Sequence, residues 1–109
     1  MVSYSPKRGD IVWLEFDPQK GKEIQKTRPA LVISPHSYNL KTGLALFMPI
    51  SSKVKGYPFE VLLEIEGISG VILSDQIRSL DWKARHAKFV GHISSETVDE
   101  VLAKLKVLL

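Results

Sequence analysis

The sequence predicts a mainly β protein with one C-terminal helix: a small, strongly bent sheet or barrel closed by that helix. Two observations carry this. Short apolar runs rich in Val, Ile, Leu and aromatic residues alternate with Gly, Pro, Ser and Asn punctuation, which is the signature of short strands. Only the last stretch, from Ser94 onward, repeats its apolar residues at helical spacing. With 109 residues, the chain is read as one domain spanning 1–109, long enough for a single core and too short for two.

In chain order, residues 10–16 (Asp-Ile-Val-Trp-Leu-Glu-Phe) form a first strand with Val12, Leu14 and Phe16 on one side. A polar connection of about eleven residues follows, long for a compact domain and therefore expected to be functional or mobile. The run 29–34 reads as a buried strand bounded by Pro29 and Pro35. His36–Asn39 is expected to form a single turn and Lys41–Gly43 a tight one. A third strand covers 44–50, with Pro49 implying an edge or a bulge. The polar loop 51–56 leads to a strand from Tyr57 to Leu63. A turn is expected over 64–69, with Gly67 and Gly70 free to take unusual backbone angles. Val71–Leu73, 77–82 and Lys88–His92 read as short extended segments, and 83–86 as ambiguous. In the final helix Val98, Val101, Leu102, Leu105 and Leu108 share a face, with Ser94 or Ser95 as N-cap. Acidic residues early and Lys104 and Lys106 late suit the helix dipole.

Composition removes several function classes. No run is long and apolar enough to span a bilayer, and the first residues carry no leader-like apolar stretch. The absence of cysteine excludes disulfides and thiolate metal sites and fits a reducing cytoplasm. His36, His86 and His92 are scattered without ligand spacing, and no phosphate-binding glycine loop or nucleophile elbow is present, so no metal or cofactor is expected. The net charge of +3 is unevenly spread. Residues 1–58 carry nine Lys/Arg against four Asp/Glu, and residues 59–109 six against eight. A basic half suits a polyanionic partner.

The stretch 21–35 organises the rest. A charged loop ends at Arg28 and breaks into the apolar run Ala30–Ile33. A residue before proline avoids the α region, so Arg28 is held extended where loop becomes strand. Its guanidinium there offers a rigid fork of donors to a phosphate. The competing reading is a surface arginine paired with Glu23 or Asp17. Other polar residues gather at strand ends: Ser51 and Ser52, Asp75 and Gln76, and Arg78. Turn and cap duties account for Ser51 and Asp75 taken singly. Converging, the set would suit binding a single-stranded nucleic acid and splitting a phosphodiester. Trp13, Tyr38, Tyr57, Phe59 and Trp82 are either stacking surfaces or core.

Ordered blocks make the pattern specific. Gly9-Asp10-Ile11-Val12-Trp13, Phe16-Asp17-Pro18, Gly21-Lys22-Glu23, Arg28-Pro29-Ala30-Leu31-Val32-Ile33-Ser34, Tyr38-Asn39, Pro49-Ile50-Ser51-Ser52, Lys55-Gly56-Tyr57-Pro58-Phe59-Glu60-Val61 and Asp75-Gln76-Ile77-Arg78-Ser79 occur in turn. Together they resemble the MazF/PemK toxins of bacterial toxin–antitoxin modules, on the MazF side of that family, over nearly the whole chain. The resemblance implies a homodimer of SH3-like barrels (the MazF/PemK/CcdB-type toxin fold). It implies a ribosome-independent endoribonuclease that cuts mRNA at a short sequence. It also implies silencing by a MazE-like antitoxin, through which alone operator DNA is met.

Carried over by position, Arg28 matches the family's catalytic arginine, and Ser51 falls where relatives usually carry a threonine against the scissile phosphate. Glu23, Asp75 and Gln76 match polar positions around the RNA site. Some relatives use a loop histidine and an arginine as acid and base; here those positions are Lys22 and Leu73, so that assignment does not transfer. The expected mechanism is attack by the RNA's own 2′-hydroxyl, with Arg28 stabilising charge on the phosphoryl oxygens, Ser51 donating to one of them and Glu23 accepting a proton. Lys22, Lys26, Lys53 and Lys55 are expected along the RNA backbone, with Ser52 and Arg78 beside it. Two other classes remain at this stage. A gyrase-poisoning toxin of the CcdB type shares the fold but typically ends Trp-Gly-Ile, whereas this sequence closes Lys106-Val107-Leu108-Leu109. A non-catalytic RNA-binding barrel would keep the basic loops without requiring Arg28.

Overall fold

The computed structural model describes residues 4–15 and 27–109. Among these residues seven strands and two helices follow in the order β1 (Asp10–Glu15), β2 (Thr27–Val32), α1 (His36–Thr42), β3 (Leu44–Ser51), β4 (Glu60–Ile65), β5 (Ile68–Leu73), β6 (Arg78–Asp81), β7 (Lys88–His92) and α2 (Ser95–Lys106). The ladders are antiparallel and run β4-β5-β3-β2-β1-β7, with β6 added on β3. This is the expected mainly β architecture with a C-terminal helix.

The bent sheet carries apolar side chains on both faces. One cluster, beneath α2, includes Ile11, Leu31, Met48, Ile50, Ile72, Val98 and Val101; the other includes Val12, Leu14, Ala30, Val32, Phe47 and Trp82. Neighbouring residues of β1, β2 and β3 therefore enter opposite clusters. Burial on both faces explains why Ala30–Ile33 reads as an unbroken apolar run. In α2, Ser94 is the N-cap and accepts from the Thr97 amide. Val98 and Val101 are buried and Leu102 and Leu105 pack beside them, but Leu108 is half exposed beyond the helix end.

Four local expectations are corrected. Residues 36–42 form a full helical turn and more, because Asn39 is wholly buried and bonds both Ser34 and the Pro6 carbonyl. Gly43, at φ 74°, ends that helix. The fourth strand starts at Glu60 and continues to Ile65, so the turn shrinks to Glu66 (φ 46°) and Gly67 (φ 80°), a two-residue hairpin with both central residues left-handed. Pro49 marks neither an edge nor a bulge. It lies where β3 leaves β6, paired through Phe47, and joins β5, paired from Ile50, so no ladder partner is required on that side. Gly70 sits inside β5, and its role is close approach: a Cβ there would lie 2.1 Å from the Ser51 carbonyl oxygen.

Candidate functional site

The end of β3 carries the site. Its change of partner from β6 to β5 brings Ser51 against the β4–β5 hairpin, and glycine at position 70 permits that approach. On the other side β2 pairs with β1 so that Arg28 stands opposite Leu14 and Pro29 opposite Trp13. Between these elements opens a cleft of about 490 Å³ lined by Trp13, Arg28, Ser51, Ser52 and Lys53, with Glu66 to Ser69 of the hairpin as its wall. A smaller hollow of about 110 Å³ shares Ser51 and Lys53 and adds Lys55, Tyr57, Glu60, Asp75 and Gln76.

Several hydrogen bonds fix these groups. The Ser51 hydroxyl accepts from the Lys53 amide at 3.1 Å, which leaves its own O–H available to a ligand. The Glu60 carboxylate accepts from the amides of Lys55 (3.2 Å) and Gly56 (2.9 Å), holding the loop 53–57 in a curl that Gly56 enters at φ 82°. The Lys55 ammonium stands 5.9 Å from the Tyr57 ring centre. Ser74 donates from both its amide and its hydroxyl to the Phe59 carbonyl. The Gln76 amide closes a turn on Leu73 at 3.1 Å, so Asp75 and Gln76 are presented outward beside that loop. Arg28 is exposed, and its guanidinium forms no hydrogen bond or ion pair with the described residues. A guanidinium, a hydroxyl donor and Lys53 around one cleft, with Lys55 in the adjoining hollow, suit a phosphodiester of an extended strand.

A family model for the PemK-like, MazF-like toxin of type II toxin–antitoxin systems matches residues 7–109. The endoribonuclease toxin MazF of Escherichia coli K12 is 46% identical over 110 residues, covering 100% of this chain and 99% of the relative. The chain belongs to the PemK-like, MazF-like toxin family. The crystal structure of MazF from Deinococcus radiodurans is 48% identical with a TM-score of 0.86, covering 97% of each chain. A MazE–MazF structure from the same organism is 48% identical with a TM-score of 0.89, covering 97% of this chain and 96% of the other.

In this toxin the fold draws together Arg28, Ser51, Ser52 and Lys53 around the larger cleft and Lys55, Asp75 and Gln76 around the smaller. Arg78 is exposed on β6, opposite Phe47, and lines neither. Lys22, Glu23 and Lys26 lie outside the described residues, as do Asp17 and the long connection itself, so the ion pair weighed for Arg28 falls there too. Of the aromatic residues, Trp13 borders the larger cleft and Tyr57 the smaller, both exposed, while Trp82 is buried and donates its indole N–H to the Asn39 carbonyl at 3.0 Å.

The histidines are each spoken for separately: His36 by Ser5, His86 by Glu15 and His92 by Asp10. Among the described residues no three His, Asp or Glu side chains converge as a metal site. None of the described helices is long and apolar enough to cross a membrane. Gly70 and Glu60 are the site-building residues that sequence reasoning missed. Glu60 enters the sequence reading only as part of the strand Tyr57–Leu63 and its motif block, and a close approach such as that at Gly70 leaves no local signal in sequence.

Proposed function

We propose that this toxin is a sequence-specific, ribosome-independent endoribonuclease that cuts single-stranded mRNA, and so arrests translation and growth. The observation that carries the reading is the shared cleft of Arg28, Ser51 and Lys53, in which the Ser51 hydroxyl is anchored as an acceptor and keeps its proton to donate. The match to endoribonuclease relatives along the whole chain supports it. In the reaction, the 2′-hydroxyl attacks the adjacent phosphorus, the 5′-oxygen of the next nucleotide leaves, and a 2′,3′-cyclic phosphate and a 5′-hydroxyl result. The nucleophile belongs to the substrate, so the protein supplies position and charge. Arg28 neutralises the charge that develops on the non-bridging oxygens, and Ser51 donates to one of them. Glu23 is the proposed proton acceptor. Lys53 and Lys55, with Lys22 and Lys26, follow the backbone; Ser52, Asp75, Gln76 and Arg78 contact the strand beside it.

The whole of 1–109 acts as one domain in the cytoplasm, as a homodimer. A MazE-like antitoxin covers the basic cleft and brings the pair to operator DNA; MazE–MazF structures among the neighbours support that partner. Incubating purified protein with a long RNA and mapping the cuts tests the activity. Cuts at one short sequence, insensitive to EDTA, with cyclic phosphate ends and an intact all-deoxy control are expected. RNA left whole would return the protein to the binders, whether of gyrase or of RNA.

A further inference from the structure

A second cleft of about 300 Å³ adjoins the first across Trp13, and the function proposed above leaves it unused. Its lining is Trp13, Glu15, Thr27, His86 and Lys88. The strand register explains the adjacency: Trp13 of β1 faces Pro29 of β2 on one side and Lys88 of β7 on the other. Lys88 and the Arg28–Pro29 segment thus stand two strand spacings apart, roughly 10 Å, with an indole between them. That is a short step along an extended strand.

The second cleft is built and held. The turn after β6 is tied to Glu15 three times: the Glu15 amide donates to the Arg85 carbonyl (3.1 Å), the Arg85 guanidinium donates to the Glu15 carbonyl (3.0 Å), and the His86 Nδ1 bonds the Glu15 carboxylate (3.0 Å). His86 holds a left-handed backbone, φ 53°, which is uncommon for a residue with a side chain and collects at ligand clamps. A carboxylate only accepts, so Nδ1 carries the proton, and in the neutral ring Nε2 is an acceptor. His86 and Lys88 are both exposed, and Trp13 is 39% exposed.

We propose that this cleft is a subsite for a nucleotide that flanks the scissile phosphodiester on the same RNA strand. The inference rests on the RNA-cutting function. Lys88 meets the phosphate, the His86 Nε2 accepts from a base amino group or ribose hydroxyl, and the Trp13 ring separates the two sites as a stacking wall. His86 and Lys88 then set how much the sequence beside the cut matters, without taking part in the bond change.

The experiment compares a core oligoribonucleotide, spanning only the recognised cut sequence, with versions lengthened by nucleotides on the 5′ or the 3′ side. Wild type is expected to gain about tenfold in kcat/KM from lengthening on one side only, through KM. Lys88→Ala should cut the core as wild type does and lose that gain. His86→Gly removes the ring while suiting the left-handed backbone, so it folds and should likewise lose the gain. If wild type cuts the core but gains nothing from either extension, or if both variants keep the full gain, the subsite is refuted and the nuclease stands. Equal losses on core and extended RNA would also refute it. A wild type that cuts no RNA overturns the function itself, and the subsite with it.

Discussion

Gly70→Ala tests whether the end of β3 is held by an approach that no other residue permits. A Cβ at position 70 would sit 2.1 Å from the Ser51 carbonyl oxygen and 2.9 Å from its carbon, both backbone atoms that cannot rotate away. Ordinary contact begins near 3.4 Å, so Ser51 and β5 must part by more than an ångström. Overpacking of this kind costs about 1–3 kcal/mol. The larger effect falls on catalysis. A displacement of about 1 Å at a group that positions the reacting phosphate lowers the rate on the order of a hundredfold. Urea unfolding gives the first number, and single-turnover cleavage of a defined RNA at saturating enzyme gives the second. Gly43→Ala is the control: its φ of 74° makes alanine strained, but nothing lies within 4 Å of the new methyl. It should lose about 1 kcal/mol and cut RNA normally. Should Gly70→Ala keep both its stability and its single-turnover rate, the claim that glycine is required behind Ser51 is wrong.

Three further outcomes are expected. Ser51→Ala should lower kcat about tenfold or more with little change in stability, and Ser51→Thr should keep the rate because it keeps the hydroxyl; an equal loss in both would assign the effect to packing. Asn39→Ala should cost about 3 kcal/mol in urea unfolding, since it strips partners from buried groups of Ser34 and Pro6, while kcat of the folded fraction stays put. Tyr4 concerns pH. Burial, then its 2.6 Å hydrogen bond to Asp10 and that carboxylate's charge, hold the phenol well above its usual range. The unfolded chain therefore sheds this proton first, so the stability is whole below about pH 10 and falls as pH rises above it. Tyr4→Phe should start less stable and lose that alkaline slope; an unchanged slope would clear Tyr4 of it.

Much of this molecule was legible because its signals are local. The N-cap at Ser94, the strand at Asp10 and the prolines flanking Ala30–Ile33 each announce themselves within a few residues. Pro49 was misread for a physical reason: a proline inside a sheet is excluded only where an amide is needed, and a partner switch removes that need without leaving any mark in sequence. The helix at His36–Thr42 was hidden likewise, because it is stabilised by what Asn39 meets, Ser34 and Pro6, rather than by helix-forming residues. For the site, ordered motifs gave Arg28, Ser51 and the polar neighbours that the fold does gather. Gly70, Glu60 and the cleft beyond Trp13 come from approaches between distant strands, and periodicity carries no trace of those.

The central claim is that Arg28 stabilises charge on the scissile phosphate, and the most direct measurement is single-turnover RNA cleavage by Arg28→Ala and Arg28→Lys beside wild type. Arg28→Ala is expected to stay folded within about 1 kcal/mol and to cut roughly a hundredfold or more slowly. Arg28→Lys should recover little of that, since a point charge cannot replace the two-pronged contact. Wild-type cleavage by Arg28→Ala would contradict the account.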